Sequence, residues 1–141
     1  MNKVFLDANV IFSAVYSETG GSAYILQLAK KDRIKLYSSR LAIKEAERNL
    51  REKADIKAVL KFYDLLDEVY MELIDTDRAK AKERFSDFVG EKDSPILDSA
   101  IASKADFFIT LDKKHFLNRK VLSAKLPVKI VTPSQFIQGY L

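Results

Sequence analysis

Val4, Phe5 and Leu6 are consecutive, apolar and β-compatible, and they run straight into an acid, Asp7. That pattern predicts a short buried strand over residues 3–7. Beyond it Val10, Ile11, Ala14 and Val15 recur at helical spacing, predicting a helix from Ala8 to Tyr16. Thr19, Gly20, Gly21 and Ser22 break the chain. Ser22 then caps a helix through about Lys31 that buries Ile25, Leu26, Leu28 and Ala29. A second strand is expected over Ile34 to Tyr37. Ser38 and Ser39 lead into a long helical region with Leu41, Ile43, Ala46 and Leu50 near one face. Asp55 caps another helix, in which Val59, Leu60, Tyr63, Leu66, Val69 and Tyr70 recur at three and four. An amphipathic helix follows over Arg78 to Val89, and Gly90 ends it.

In the second half, Asp93 or Ser94 is placed to cap a helix whose first turn holds Pro95. Ile96, Leu97, Ala100, Ile101 and Ala105 form its buried stripe. Phe107 to Leu111 is expected as a strand that again ends on an acid, Asp112. Val128 to Val131 is the last strand, and Pro133 opens a closing helix. Strands alternate with helices, and the strands are apolar without alternation. This implies a short central parallel sheet covered on both faces, a three-layer α/β/α sandwich. Residues 1–141 read as a single domain, with no repeat, linker or low-complexity tract.

Composition narrows the chemistry. Hydrophobic residues make up 48% of the chain, with only 4 Gly and 3 Pro, which favours long regular elements over a turn-rich all-β fold. Cysteine is absent, so disulfides, thiol nucleophiles and Cys-ligated zinc are excluded. No stretch approaches the ~20 apolar residues of a membrane span, and the start of the chain does not have the layout of a signal peptide. A cytoplasmic protein without membrane association is the expectation. The net charge of +4 permits a polyanionic partner without demanding one.

In open parallel sheets, ligands bind beyond the carboxyl ends of the strands. Asp7 and Asp112 both sit at such ends. Asp93 starts the helix leading into the Asp112 strand, which puts it on the same rim if the crossover is right-handed. Glu45 follows the second strand by eight residues (45 minus 37), about two turns into the next helix. Each acid singly has a capping or surface explanation. Together they would repel, and a divalent cation among them relieves this. Oxygen donors with no Cys and one His point to Mg²⁺ or Mn²⁺ over zinc.

The stretches VFLDANVIFSAV, LAIKEAERNL and KDSPILDSAIASKADFFITLDKKHF resemble the PIN domain, the nuclease fold also found in VapC-type toxins. The resemblance runs from Val4 to the terminal KIVTPSQFI. It implies a metal-dependent endoribonuclease that hydrolyses RNA phosphodiester bonds and could serve as the toxin of a toxin–antitoxin pair. The family's four acids fall on Asp7, Glu45, Asp93 and Asp112, which are the catalytic and metal-holding candidates. Asn9 and Thr110, and more weakly Ser13, match polar positions that orient the acids. Glu47 competes with Glu45 but points to the other side of its helix. Asp98 lies about 140° around the helix from Asp93 and is an outer-shell candidate.

Arg40, Lys44, Arg48, Lys113 and Lys114 lie near the motifs and are candidates for holding an RNA backbone, although a solvated face explains each one singly. His115, the only histidine, reads first as a turn residue. No Ser or Cys nucleophile accompanies it, which argues against a triad. Phe62, Tyr63 and Tyr70 read as packed. The resemblance further implies a homodimer formed through helices and an antitoxin partner. The alternative is a non-catalytic RNA-binding or scaffold module that keeps the fold. A phosphate-accepting receiver domain needs an acid pair near strand one and a mid-chain phospho-acceptor, and neither is present. Gly20-Gly21 does not form a phosphate-cradling loop after a strand.

Overall fold

A computed structural model describes residues 1–141. The order of elements is β1 (Asn2–Leu6), α1 (Ala8–Tyr16), α2 (Gly21–Lys30), β2 (Ile34–Ser38), α3 (Arg40–Lys53), α4 (Ile56–Glu68), β3 (Met71–Leu73), α5 (Arg78–Val89), α6 (Ser94–Ala102), β4 (Phe107–Ile109), α7 (Arg119–Leu122), β5 (Lys129–Val131) and α8 (Pro133–Gly139). The five strands form one sheet in the order β3-β2-β1-β4-β5, and every pairing is parallel. β1 is central. Val4 lies opposite Leu36 on one side and Phe107 on the other.

The chain builds outward from β1 through β2 to β3, then crosses back to build β4 and β5 on the other side. Strand order therefore reverses between β1 and β4. α1, α2, α3, α4 and α8 contact one another on one face, while α5 packs with α6 and α7 on the other. The sheet is covered on both sides, so Val4, Phe5 and Leu6 are fully buried. Phe5 meets Phe108 edge-on at 5.6 Å between ring centroids, and Phe108 meets Phe116 at 4.8 Å. Such pairs add directional packing to simple burial.

Two elements depart from the sequence reading. The helix after Asp55 stops at Glu68, with Val69 in extended conformation, and residues 71–73 form an edge strand instead of a tail to the helix. All three of those residues are only half-buried and pair on one side alone, so the local pattern carries little β signal. α7 was also not anticipated; Asn118 caps it through the Val121 N–H. Gly20, not Ser22, holds the N-cap position of α2, and Ser22 is buried within its first turn. Phe62 packs in the core as expected. Tyr63 and Tyr70 do not, being 38% and 76% exposed, because Tyr63 faces outward from α4 and Tyr70 lies beyond its end. Gly90 takes φ +92°, a conformation that favours glycine and stops α5 cleanly.

Candidate active site

β1 ends at Leu6, and the Asp7 N–H then bonds the Ile109 carbonyl at 3.0 Å. The ladder to β4 thus extends one residue and fixes Asp7 at the switch point. Asp7 is the N-cap of α1 and its Oδ1 accepts the Ala8 N–H at 2.8 Å. Its Oδ2 accepts the Thr110 hydroxyl at 2.7 Å and the Asn9 amide at 3.2 Å. The Thr110 oxygen in turn accepts the Asp112 N–H at 3.1 Å, and Asn9 Oδ1 accepts the Leu111 N–H at 3.0 Å. Asn9 and Thr110 therefore tie the acid after β1 to the acid after β4.

Asp7 is only 5% exposed. Burial pushes its carboxyl up to about 7 against the lowering effect of the Thr110 and Ala8 hydrogen bonds, and the negative Glu45 and Asp93 add to the rise. Asp93 occupies the N-cap position of α6 but makes no capping hydrogen bond with its side chain, so the cheap explanation for this acid fails. Burial raises its pKa too; His115 opposes the rise, Asp112 and Glu45 add to it, and Lys92 opposes it. Asp112 does cap a turn, since its Oδ1 accepts the His115 N–H at 2.9 Å. Its Oδ2 lies 3.0 Å from His115 Nδ1, which is also 3.5 Å from Asp93 Oδ2.

Glu45 reaches in from α3 and meets Lys92 Nζ at 3.3 Å. These side chains line a cavity of about 120 Å³ with Asp7, Glu45, Asp93 and Asp112 in its wall. The structure therefore brings together all four acids singled out in the sequence. Asn9 lines the same cavity, and Thr110 holds Asp7 from behind. Larger clefts exist, including one of about 450 Å³ between α1, α2 and α4. Three acids line it, Glu18, Asp64 and Glu68, and two of them are paired with lysines, Glu18 with Lys61 and Glu68 with Lys30.

Other candidates lie elsewhere. Ser13 is half-buried on α1 and does not line the cavity. Asp98 is buried, but its carboxylate is taken by Arg84 of α5 at 2.9 Å. Glu47 points away and holds Arg51 and the Tyr63 hydroxyl. Arg40 and Lys44 line a neighbouring pocket, while Arg48, Lys113 and Lys114 are exposed. Three further cavity members, Asn49, Lys92 and His115, carry little signal in the sequence. Asn49 sits four residues after Glu45 and so shares its helix face. Lys92 directly precedes Asp93. His115 is no mere turn residue, since it bridges Asp93 and Asp112.

The donor set fits a divalent cation. Ligand atoms of Asp93, Asp112 and His115 lie within 4.8 Å of one another, and burial raises the carboxyls of Asp7 and Asp93 above their ordinary values. A cation supplies the charge that favours their ionised forms.

Acids gathered at the switch point of a parallel α/β sheet define the site. A family model described as PIN domain matches residues 3–114, and the chain belongs to that family. Three solved structures share the fold. VapBC2 from Rickettsia felis, bound to a DNA fragment from their promoter, is similar at TM-score 0.65 and 14% identity, covering 92% of this chain and 98% of that one. PAE2754 from Pyrobaculum aerophilum is similar at TM-score 0.63 and 14% identity, covering 97% and 93%. FitAB bound to an IR36 DNA fragment is similar at TM-score 0.59 and 16% identity, covering 92% and 94%. No curated protein matches the chain in sequence.

Proposed function

We propose that the protein is a metal-dependent endoribonuclease that hydrolyses RNA phosphodiester bonds at Asp7, Glu45, Asp93 and Asp112. The observation that carries this reading is the convergence of the four acids on one cavity, two of them with carboxyls raised by burial. Mg²⁺ or Mn²⁺ would be held by these carboxylates, directly or through water, with His115 within reach of the Asp93 and Asp112 pair. When bound, the cation neutralises phosphoryl oxygens and makes water a better nucleophile at neutral pH.

The chain's own residues do the positioning. Thr110 and Asn9 fix Asp7 Oδ2, and the Ala8 N–H fixes Oδ1. The His115 N–H and ring hold Asp112. Lys92 balances Glu45 and is free to turn toward a phosphate. Arg40, Lys44, Arg48, Lys113 and Lys114 supply positive charge along the rim for an RNA backbone. No helix is long and apolar enough to cross a membrane.

The fold's likeness to VapBC2 and FitAB supports a toxin role with an antitoxin partner. A homodimer that joins two sites into one groove follows from the family resemblance. The test is cleavage of an unstructured RNA in Mn²⁺ or Mg²⁺ by the parent and by Asp7→Asn. Cutting by the parent alone supports the reading. Binding of RNA by both without cutting by either favours the non-catalytic module.

A further inference from the structure

Beside the acid cavity lies a second pocket of about 250 Å³ with the opposite charge. Arg40 and Lys44 of α3, Asp75, Thr76 and Arg78 between β3 and the start of α5, and Ser99 of α6 all line it. The two pockets share their walls. α3 gives Arg40 and Lys44 to one and Glu45 and Asn49 to the other. α6 gives Ser99 to one, and Asp93 at its start belongs to the other. The acid cavity stands over the ends of β1 and β4, and the basic pocket over the ends of β2 and β3. The separation is about two strand spacings, or roughly 10 Å.

The basic pocket holds three cations against one acid. Arg40 opens α3 and Arg78 opens α5, and neither first turn contains an acid. Cations at helix N-termini oppose the macrodipole, and a carboxylate answers at each end: Asp77 caps α5 through the Lys80 N–H, and Asp75 sits on the Arg40 N–H. The charge of Lys44 and Arg78 is left for a further anion. Asp75 already shows the preference: its carboxylate accepts the Arg40 N–H at 3.0 and 3.2 Å and the Arg40 guanidinium at 3.2 Å. Lys44 and Arg78 are exposed and enter none of the ion pairs of the fold. The Thr76 hydroxyl is buried in this wall without a hydrogen-bond partner.

We propose that this pocket seats a backbone phosphate of the RNA one or a few nucleotides from the bond that is cut, with Lys44 and Arg78 as its principal holders. The proposal rests on the ribonuclease reading. It adds that binding energy is taken from a fixed point off the reacting centre, which sets the direction of the strand and a minimum substrate length. A free phosphate offers the same chemistry, and the experiment separates the two.

The test uses short RNA substrates with one neutral methylphosphonate linkage at each position in turn, cut in Mn²⁺ by the parent and by Lys44→Gln/Arg78→Gln. For the parent, one linkage off the cut site should raise KM about tenfold when neutralised, the size of one charge-assisted contact. The variant should show a raised KM on every substrate and indifference to that linkage. Its kcat should stay within about twofold, since neither residue touches the reacting phosphate. Log KM for the parent should also vary more steeply with log salt, by about 0.7 for one single-strand phosphate contact.

An equal penalty at that linkage in parent and variant overturns the proposal. If the parent cuts no RNA, the ribonuclease reading fails separately, and melting in millimolar inorganic phosphate decides the pocket. A larger rise in melting temperature for the parent than for the variant then supports an anion seat. Equal rises in both overturn it. A phosphate-dependent rise together with normal cleavage that no single linkage affects overturns the RNA assignment and leaves a free-anion site.

Discussion

Replacing Asp7 with Asn should make the metal-free protein more stable at neutral pH, not less. Burial raises the Asp7 carboxyl from 3.8 to about 7. That rise of about three units corresponds to ~4 kcal/mol of cost in holding the charged form. Asn keeps the acceptor for the Ala8 N–H but turns a donor toward Asn9, whose amide lies 3.2 Å from Oδ2. It also forces the Thr110 hydroxyl to reverse, and together these losses cost about 1–2 kcal/mol. The net gain is about 2 kcal/mol, or roughly 8 °C in melting temperature for a domain of this size.

The gain depends on pH in a set direction. Below about pH 4 the carboxyl is protonated in both states, and only the hydrogen-bond loss remains, so the variant is the less stable protein there. Between about pH 4 and 7 the unfolded chain gives up its proton first. The parent loses stability across that window, and above about pH 7 the whole cost is present. Thermal melts in EDTA at stepped pH measure this directly. Adding Mn²⁺ should reverse the order, because the cation stabilises only a protein that can hold it. A variant that is less stable than the parent at pH 8 in EDTA, or a gap that does not change with pH, refutes the reasoning.

Glu45→Gln should lower RNA cleavage by about 100-fold or more, as expected when a charge at the reacting centre is lost, while Glu47→Gln leaves cleavage unchanged; the same assay on both variants tests which helix face is used. Arg84→Gln should destabilise the fold by about 1–2 kcal/mol, because it strands the buried Asp98, yet spare activity; denaturant unfolding and cleavage together check that Asp98 belongs to the α5–α6 packing. His115→Gln should reduce stabilisation by Mn²⁺ more than by Mg²⁺, because imidazole suits the transition ion; melting temperatures with each ion report the difference.

The sequence carried most of the sheet because β1, β2 and β4 are buried on both faces and must therefore be apolar throughout. β3 was hidden because an edge strand of three half-buried residues has no such demand, and Tyr70 and Val69 continued the helical spacing of α4 by chance. Asp7 was legible because a carboxylate placed directly after Val4-Phe5-Leu6 is costly unless it does something, and Asp112 because it follows the Phe107-Phe108-Ile109 run three residues on. Distinguishing Glu45 from Glu47 needed only helix geometry. The roles of Lys92 and His115 were not legible, since a Lys before an Asp and a His in a turn are ordinary surface residues until the fold brings α6 and the segment after β4 together. Asp98 shows the converse: its position in the motif suggested the site, and Arg84, 14 residues earlier in sequence (98 minus 84), claims it instead.

The most direct measurement is a Mn²⁺ titration that follows RNA cleavage and melting temperature on the same samples, for the parent and for Asp93→Asn. The account predicts that cleavage and stabilisation rise together over one range of Mn²⁺ in the parent and that both are lost in the variant. Cleavage that persists in EDTA, or an Asp93→Asn protein that gains stability and cuts RNA as the parent does, contradicts it.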